Sequence, residues 1–395
     1  MTAVANLLSG EPVAAAGSTT TGSWAPAGRM AAAVRWYYAE SGPVLLADGR
    51  VLVAGGADGN ENTVGVTALY DPATNAWTAG QPQLTARKHA TVTRLLDGRV
   101  LFAGGVSGPA QYSTPGLATT ELYDPTTGQW AAGPPMSQAR AYHNAVLLAD
   151  GRVLVAGGIS RTSGGTAGSL SSAELFDPVA NTWTATGAMT DPRSLATITT
   201  LADGRVLVVG GTIDTAYGSS TELAFCELYD PRAGTWSPTG SSAVTRAVHQ
   251  TVPLPDGGAL AFGGWADAGI GSRLSLYSQR LVERFDPVTG QWARETLMPF
   301  GRSTFRAVTL TDGKILLIGG NDTPLSDGGY QNATVYDPLT RIFTPTPGMI
   351  VGRWALGAVA LADGRVLAVG GTVRADESMV DYADELTPTA EVFTP

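Results

Sequence analysis

Cysteine is almost absent from the sequence: Cys226 is the only one among 395 residues. A single cysteine excludes an intrachain disulfide framework and is compatible with a reducing compartment. No run of about 18 apolar residues occurs, so no segment is expected to cross a membrane as a helix. The formal net charge of −9 opposes binding to a phosphate backbone, which argues against nucleic acid as the main partner.

The first residues also lack a targeting signal. Residues 1–20 contain no Lys or Arg, and their apolar run, Val13–Ala16, is too short for a secretory signal. The segment is rich in Ala, Ser, Thr and Gly, so we expect a flexible tail. Cytoplasmic location is then the default expectation.

The most prominent feature of the sequence is a pattern that repeats seven times. Each copy has an apolar segment, an Asp-Gly step, a run of β-branched residues and a Gly pair, and successive Asp residues lie 49, 53, 53, 53, 56 and 51 positions apart. A period near fifty, made of strand and turn, is typical of a propeller of four-stranded blades. We therefore predict an all-β, seven-bladed propeller over residues 21–395. The Asp residues are Asp48, Asp97, Asp150, Asp203, Asp256, Asp312 and Asp363.

The third copy displays the pattern of one blade. Residues 140–148 predict the inner strand, residues 153–158 the second, residues 173–178 the third and residues 181–183 the outer one. The Asp-Gly step between the first two predicts a two-residue type I′ turn. Aromatic residues recur before each Asp-Pro and again in the outer strand, where they should fill the space between blades. Cys226 shares the third-strand context and is expected to be a small buried hydrophobe.

The two chain ends complement each other. The seventh copy stops at Pro395 after a third strand, whereas residues 22–24, with Trp24, match an outer strand that lacks its three partners. Joined, they complete one blade and leave no open sheet edge. We predict this closure, with three strands from one end of the chain and one from the other.

These features resemble the kelch repeat, which has a leading Arg, an apolar strand, Gly-Gly, a third-strand aromatic and an outer-strand Trp. The resemblance covers residues 22–395, and it is closest to the propeller of galactose and glyoxal oxidases, where Arg-x-Tyr-His is typical; here it is Arg140-Ala-Tyr-His143. Because kelch propellers include protein-binding scaffolds, oxidases, epimerases and specifier proteins, the fold alone does not select a function.

An arginine opens the inner strand in each copy. It stands ten residues before the turn Asp in six copies, and Arg35 is its irregular counterpart in the first. The resemblance implies that this residue lies at the mouth of the central channel. It either braces the blades through carbonyl groups or binds the carboxylate of a ligand. The six regular residues are Arg87, Arg140, Arg193, Arg246, Arg302 and Arg353.

The three residues that follow each of these arginines are the most informative positions in the chain. All three histidines fall here, and His89 is one position out of register with His143 and His249, so its side chain should face the other way along an alternating strand. The histidines are either packing groups or proton-transfer groups near neutral pH. We take His89, His143, Tyr142 and His249 as candidate catalytic residues. Candidate ligand-binding residues are Trp36, Tyr37, Tyr38, Arg87, Arg140, Arg246, Trp265, Arg302, Phe305 and Trp354.

Three functions remain open. The first is an isomerase, lyase or cyclase that binds a small molecule with an acidic or carbonyl group at the mouth and uses no cofactor. The second is a non-catalytic scaffold for a peptide or protein partner. The third, implied by the resemblance, is a copper radical oxidase. Its site would use Tyr142 and His143 as a Tyr-His pair, Tyr37 as the further Tyr that is cross-linked to Cys, and a His from a following domain. Cys226 stands in a third strand and the sequence ends at Pro395, so we expect no copper. We also expect no other metal, and we expect a monomer.

Overall fold

The seven copies of the repeat form seven four-stranded antiparallel sheets. The computed structural model describes residues 22–36, 42–108, 115–161, 167–214, 220–267, 276–322, 328–374 and 384–395. Within these ranges the chain forms strands and turns and no helix. The predicted all-β, seven-bladed propeller is confirmed, and we number its blades 1–7 in the order of the Asp-Gly turns.

Each blade follows the order inner, second, third and outer strand, and each strand pairs with its neighbour in the sheet. The strands of blades 1–7 in turn are Val44–Leu45, Val51–Ala54, Thr67–Asp71 and Ala76–Ala79; Thr91–Arg94, Val100–Ala103, Thr120–Asp124 and Gln129–Gly133; Asn144–Leu147, Val153–Ala156, Ala173–Asp177 and Thr182–Ala185; Thr197–Thr200, Val206–Val209, Cys226–Asp230 and Thr235–Pro238; Gln250–Pro253, Ala259–Phe262, Leu281–Asp286 and Gln291–Leu297; Arg306–Thr309, Ile315–Ile318, Ala333–Asp337 and Ile342–Thr346; and Gly357–Ala360, Val366–Val369, Thr389–Thr394 and Ser23–Arg29.

In the part of the chain that the structure describes, four blades carry a further two-stranded hairpin between the second and third strands. These hairpins begin directly after the Gly pair and lie on the face opposite the Asp-Gly turns, because consecutive strands run in opposite directions. Their strands are Ile159–Arg161 with Ala167–Ser169, Thr212–Asp214 with Ser220–Glu222, Trp265–Asp267 with Leu276–Ser278, and Thr372–Arg374 with Glu385–Leu386.

The Asp-Gly turns have a different geometry from the predicted one. In the first turn φ is 87° at Gly49 but is not positive at Asp48, whereas a type I′ turn needs positive φ at both central residues. Leu46 N donates to Arg50 O at 2.8 Å, so the loop has three residues with glycine at its left-handed position. The prediction of a two-residue turn is therefore wrong. Asp48 Oδ1 instead accepts a hydrogen bond from Arg50 N at 3.0 Å, which favours the type I turn.

The core lies between neighbouring blades. The second strand of every blade is completely buried, and the third-strand aromatic is 0% exposed, as at Tyr123 and Phe176. Each of these rings packs against the outer-strand aromatic, with centroids 5.1 Å apart for Tyr123 and Trp130. Cys226 is buried beside Phe285 of the next blade, and burial raises the pKa of its thiol to about 11. It is the small buried hydrophobe that its strand context predicts.

The closure of the ring is visible in the last blade. Ser23–Arg29 pairs with Thr389–Thr394, and Trp24 lies opposite Phe393. The two rings are 5.2 Å apart, which matches the Phe176–Trp183 pair inside a continuous blade. Trp24 Nε1 also donates to Pro347 O of blade 6 at 2.9 Å. The N-terminal strand therefore completes blade 7, as predicted.

This closure gives a truncation test. Deleting residues 1–28 removes most of the strand that pairs with Thr389–Thr394, and we expect the melting temperature to fall by about 10 °C or more. Deleting residues 1–18 spares Trp24 and should leave the melting temperature nearly unchanged. Differential scanning calorimetry of the two truncations checks this, and equal melting temperatures would contradict the closure.

Candidate functional site

One face of the propeller collects the residues that interrupt the repeat. The residue after each blade-opening position forms an antiparallel bridge with the residue after the Gly pair of the same blade. We call this face the mouth. Its seven bridges are Arg35 with Ala57, Lys88 with Val106, Ala141 with Ile159, Ser194 with Thr212, Ala247 with Trp265, Ser303 with Asn321, and Trp354 with Thr372.

The blade-opening arginines are internal braces. Arg140 is 0% exposed, and its Nη1 donates to Gly157 O at 2.8 Å and to Ser172 O at 3.0 Å. Its Nη2 donates to Glu174 Oε1 at 2.9 Å, and Glu174 in turn accepts the main-chain amide of Ser137. A buried carboxylate with these donors is well satisfied. The same Arg–Glu pair recurs as Arg87 with Glu121, Arg193 with Glu227, Arg246 with Glu283, and Arg353 with Glu391.

Blade 6 replaces this carboxylate by an amide. Arg302 donates to Gly319 O at 2.8 Å and also to Asn332 Oδ1, and it is 1% exposed. Burial lowers the pKa of Arg302 to about 10. These contacts fit the bracing alternative of the sequence analysis. The four arginines named there as ligand contacts direct their Nη donors inward, so we leave Arg87, Arg140, Arg246 and Arg302 out of the proposed site.

Blade 1 has neither member of the buried Arg–Glu pair. Gly371 N donates to Val34 O, just as Gly320 N donates to Arg353 O one blade earlier. Val34 therefore occupies the bracing position, and Ala68 stands where blades 2–5 and 7 have Glu and blade 6 has Thr334. Assigning Arg35 to the bracing position is a sequence-register error of one residue, because Arg35 is the counterpart of Lys88.

A ring of left-handed residues lies beneath these bridges. The ring consists of six non-glycine residues, one from each of blades 2–7, whose φ lies between 50° and 56°. Such residues cost about 1–3 kcal/mol each and persist only where other contacts hold them. Here the ring is held by main-chain bonds between blades, such as Tyr142 N to His89 O at 3.1 Å and Leu195 N to Tyr142 O at 3.3 Å. The six residues are His89, Tyr142, Leu195, Val248, Thr304 and Ala355.

His143 and His249 are packed between blades. Both are 0% exposed, and Nε2 of His143 lies 3.0 Å from Thr91 Oγ1, as Nε2 of His249 lies 2.7 Å from Thr197 Oγ1. Burial holds the pKa of both imidazoles well below the usual range, and Arg140 and Arg246 lower it further. These contacts favour the packing alternative, and they place neither ring on the mouth.

His89 has a different environment. It precedes the inner strand Thr91–Arg94 and occupies the same left-handed position as Tyr142, so the argument from strand alternation was wrong for it. Its ring stacks on that of Tyr142, with centroids 4.2 Å apart and planes 24° apart. Burial, then Lys88 and then Arg35 hold its pKa well below the usual range. The imidazole is therefore neutral at pH 7.

Four charged side chains lie next to this stack, and we call them the ion cluster: Arg35, Glu61, Lys88 and Asp384. Arg35 pairs with both Glu61 and Asp384, and Lys88 Nζ lies 2.9 Å from Glu61 Oε2. The Arg35 and Lys88 side chains are 1% and 2% exposed, whereas Glu61 and Asp384 are 23% and 19% exposed. The cluster joins blades 1, 2 and 7 and makes one side of the mouth strongly polar.

The remaining mouth is apolar in blade 3 and rich in hydroxyl groups in blade 4. Tyr142 and Ile159 belong to one small apolar cluster. In blade 4 Asp214 Oδ2 accepts hydrogen bonds from Ser194 Oγ at 2.5 Å and from Ser169 Oγ at 3.1 Å. The mouth is therefore chemically asymmetric around its axis.

Several predicted ligand contacts lie elsewhere than expected. Trp36 and Phe305 are 2% and 0% exposed, and Phe305 packs over Gly320 in the core between blades 5 and 6. Trp354 lies at the mouth, bridged to Thr372, but is only 6% exposed. Trp265 stays at the mouth, bridged to Ala247, and is half-buried. Tyr37 and Tyr38 lie outside the described residues.

Sequence reasoning missed the ion cluster. Glu61 and Asp384 are 26 and 349 positions from Arg35 in the chain, so no local pattern joins them. The available signal was that positions 35 and 88 carry a charge where blades 3–7 have Ala, Ser or Trp.

Comparison with known proteins agrees with this geometry. The kelch motif family matches residues 140–190. The chain is 25% identical to galactose oxidase of Gibberella zeae over 369 residues, which is 85% of this chain and 49% of that protein. It is 29% identical to Kelch-like protein 34 of Homo sapiens over 221 residues, or 55% of this chain and 31% of that protein.

A solved structure extends the likeness of fold. A fungal alcohol oxidase of the AA5 family, solved in complex with copper, superposes with a TM-score of 0.70 at 21% identity and covers 95% of this chain and 76% of that one. Seven blades and a matching motif make the chain a kelch-repeat β-propeller. Among such propellers it is close to the galactose oxidase family, although it spans about half or less of the curated relatives named above.

The copper site that this relationship implies does not fit the described residues. The nearest candidate, His143, is buried between blades with Nε2 beside Thr91. Cys226 lies in a third strand next to the core of blade 5. Among residues that the structure describes, no group of three or more His, Cys, Asp or Glu side chains is placed to hold a metal ion.

Proposed function

We propose that the mouth binds a small organic molecule that carries a carboxylate or a carbonyl group. The observation that carries this proposal is the meeting of two unlike surfaces, the ion cluster and the stacked rings of His89 and Tyr142. Ligand sites combine an apolar lining with a few placed polar groups. Among the described residues neither surface recurs in the other blades, so bracing of the fold does not account for them.

The ligand would lie with its polar group toward Lys88 and Arg35 and its body over blade 3. The two cations are nearly dehydrated, which strengthens their attraction for a negative or polarised oxygen. Tyr142 and Ile159 supply apolar surface next to them. The hydroxyl groups around Asp214 would contact the far side of the ligand.

His89 and Tyr142 are the proposed acid–base pair for a reaction without a cofactor, of the isomerase, lyase or cyclase type. The low pKa of His89 keeps it neutral, so it can accept a proton but is not a stored acid at pH 7. Of the three histidines we retain only this one for chemistry. The relatives support a kelch scaffold or an oxidase-type family, so the reaction type rests on the mouth residues alone.

A peptide or protein partner is the second candidate, favoured by exposed apolar side chains around the same face. Phe225, Phe300 and Ile350 are 56%, 51% and 51% exposed, and they stand at the mouth-side ends of their strands or loops. Such a partner would contact this rim rather than His89.

The function is tested by binding of small oxo acids, such as glyoxylate, pyruvate and 2-oxoglutarate, measured by saturation-transfer NMR and calorimetry. His89→Ala copies Ala355, which holds the same left-handed position, so the fold should tolerate it. We expect this variant to lower affinity about tenfold or more, or about 1.4 kcal/mol, with the melting temperature within a few degrees of wild type.

The matched control is Arg152→Ala, on the opposite face, whose affinity should equal that of wild type. Equal affinity of the His89 variant, or no binding of any oxo acid by wild type, would contradict the proposal. In that case, a peptide or protein partner that binds wild type but not a variant with Phe300 replaced would support the scaffold alternative.

A further inference from the structure

Lysine is rare in this chain, and one of its two lysines is buried at the mouth. Of the 25 basic residues, only Lys88 and Lys314 are lysine, and the other 23 are arginine. Lys314 lies in the Asp-Gly turn of blade 6 on the opposite face, with its side chain 43% exposed. Lys88 has a side chain only 2% exposed. The chain thus uses arginine almost everywhere but places a primary amine in the ion cluster.

The partners of Lys88 are held in place by a structured loop. Nζ donates to the main-chain O of Glu61 and lies 2.9 Å from its Oε2. Glu61 adopts a left-handed conformation with φ of 62°. Asp58 Oδ1 fixes this loop by accepting the amides of Asn60 at 2.9 Å and Asn62 at 2.8 Å. The carboxylate therefore stands beside the amine before any ligand binds.

An ion pair alone does not require lysine here. Arginine keeps its charge, presents a planar fork that suits a carboxylate, and occupies the equivalent position of blade 1 as Arg35. What lysine adds is a nucleophilic nitrogen, which can form an imine with a carbonyl compound. Glu61 is positioned to accept the proton that the ammonium must release first.

We propose that Lys88 is a covalent site that forms an imine with the aldehyde or ketone group of the ligand. This inference rests on the proposed function and narrows the ligand to a carbonyl compound. Glu61 first accepts one proton from the ammonium group, and the deprotonated Nζ attacks the carbonyl carbon while the π electron pair moves to oxygen. A second proton moves from the nitrogen to this oxygen and gives a neutral carbinolamine. Glu61 then returns its proton to the same oxygen, the C–O bond breaks and one water leaves. The nitrogen lone pair forms the C=N bond of a protonated imine, which keeps the third proton, without oxidation or reduction.

Borohydride trapping tests this step. The protein is incubated with glyoxylate and then sodium borohydride, which reduces an imine to a stable secondary amine bearing one carboxymethyl group. Peptide mass mapping locates the adduct, and the α-amino group of the chain reports that the reagent is active. We expect Lys88 to be labelled about tenfold faster than Lys314, because the proposed ligand site holds the carbonyl compound next to the amine of Lys88, whereas Lys314 lies in an exposed turn on the opposite face.

Labelling of Lys314 and the α-amino group with Lys88 unmodified would overturn the inference. Lys88→Arg keeps the charge opposite Glu61, so it should fold, lose the trapped adduct and still bind glyoxylate reversibly. If wild type binds glyoxylate through His89 but never traps it, the covalent step is wrong and the proposed function stands. If wild type does not bind glyoxylate or the other oxo acids at all, both fail.

Discussion

Replacing Arg193 by Val is expected to lower the free energy of unfolding by about 3–5 kcal/mol. Arg193 is 0% exposed, and its guanidinium group joins Gly210 O, Phe225 O and the Glu227 carboxylate at 2.8–3.1 Å. Its loss leaves Glu227 charged and buried with no counter-charge. Main-chain amides of Thr190 and Asp191 still contact that carboxylate but do not neutralise it.

Blade 1 supplies the matched control for this experiment. It carries Val34 and Ala68 at the two positions, so the double variant Arg193→Val/Glu227→Ala copies an arrangement that the same propeller already tolerates. We expect the double variant to be more stable than the single one, since replacing both members of a buried pair avoids an isolated charge. Urea midpoints of the two variants and wild type measure the difference.

Two outcomes would contradict this account of the braces. A single variant within about 1 kcal/mol of wild type would mean that the buried pair contributes no more than an exposed one. A double variant less stable than the single one would mean that Glu227 stabilises the blade without its arginine. Arg205→Ala, which removes a turn pair with side chains 34% and 43% exposed, gives the scale of an exposed pair and should cost no more than about 1 kcal/mol.

The sequence predicts the fold well because the same physical requirement recurs in every blade. Seven Gly pairs, the third-strand aromatics and the unmatched Trp24 each report a packing position, and repetition makes each one easy to recognise. The closure through Trp24 and Phe393 follows from the same counting. Repeated residues therefore predict the shared structure of the blades.

Local backbone geometry was less predictable. The inner strand of blade 3 begins at Asn144 and not at Arg140, because Tyr142 adopts φ of 56° and ends the regular pattern. No glycine marks this position, and its occupants in blades 2, 3 and 7 are His, Tyr and Ala. The conformation is imposed by bonds between blades, which a local sequence pattern does not contain.

The candidate site was predicted only in part for a similar reason. The sequence singled out His89, but what separates that residue from His143 and His249 could not be read from it: the ring of His89 stacks on Tyr142, whereas the other two pack between blades beside threonine hydroxyl groups. Lys88 was overlooked because its importance depends on Glu61 and Arg35, which come from another blade. Unrepeated residues need the three-dimensional neighbourhood before they can be ranked.

The three histidines should make the stability of the protein depend on pH between 5 and 7. Burial lowers the pKa of His89, His143 and His249 well below the usual value, so the folded protein keeps them neutral. In the unfolded chain these histidines take up protons below about pH 6.5. Their contribution to the free energy of unfolding is therefore fully present above that pH and is lost as the pH falls. Each histidine should cost at most about 2 kcal/mol between pH 7 and pH 5, the value for an imidazole that stays neutral in the folded protein down to pH 5.

The variant His143→Gln/His249→Gln isolates this effect. Glutamine retains a polar group near Thr91 and Thr197 but does not titrate. We expect the loss of unfolding free energy between pH 7 and pH 5, measured by urea titration, to fall to about one third of the wild-type value, because only His89 remains. Lowered pKa values at aspartates such as Asp150 affect the comparison only at more acidic pH. An unchanged pH dependence would mean that His143 and His249 are protonated in the folded protein, and the buried, neutral packing role assigned to them would then be wrong.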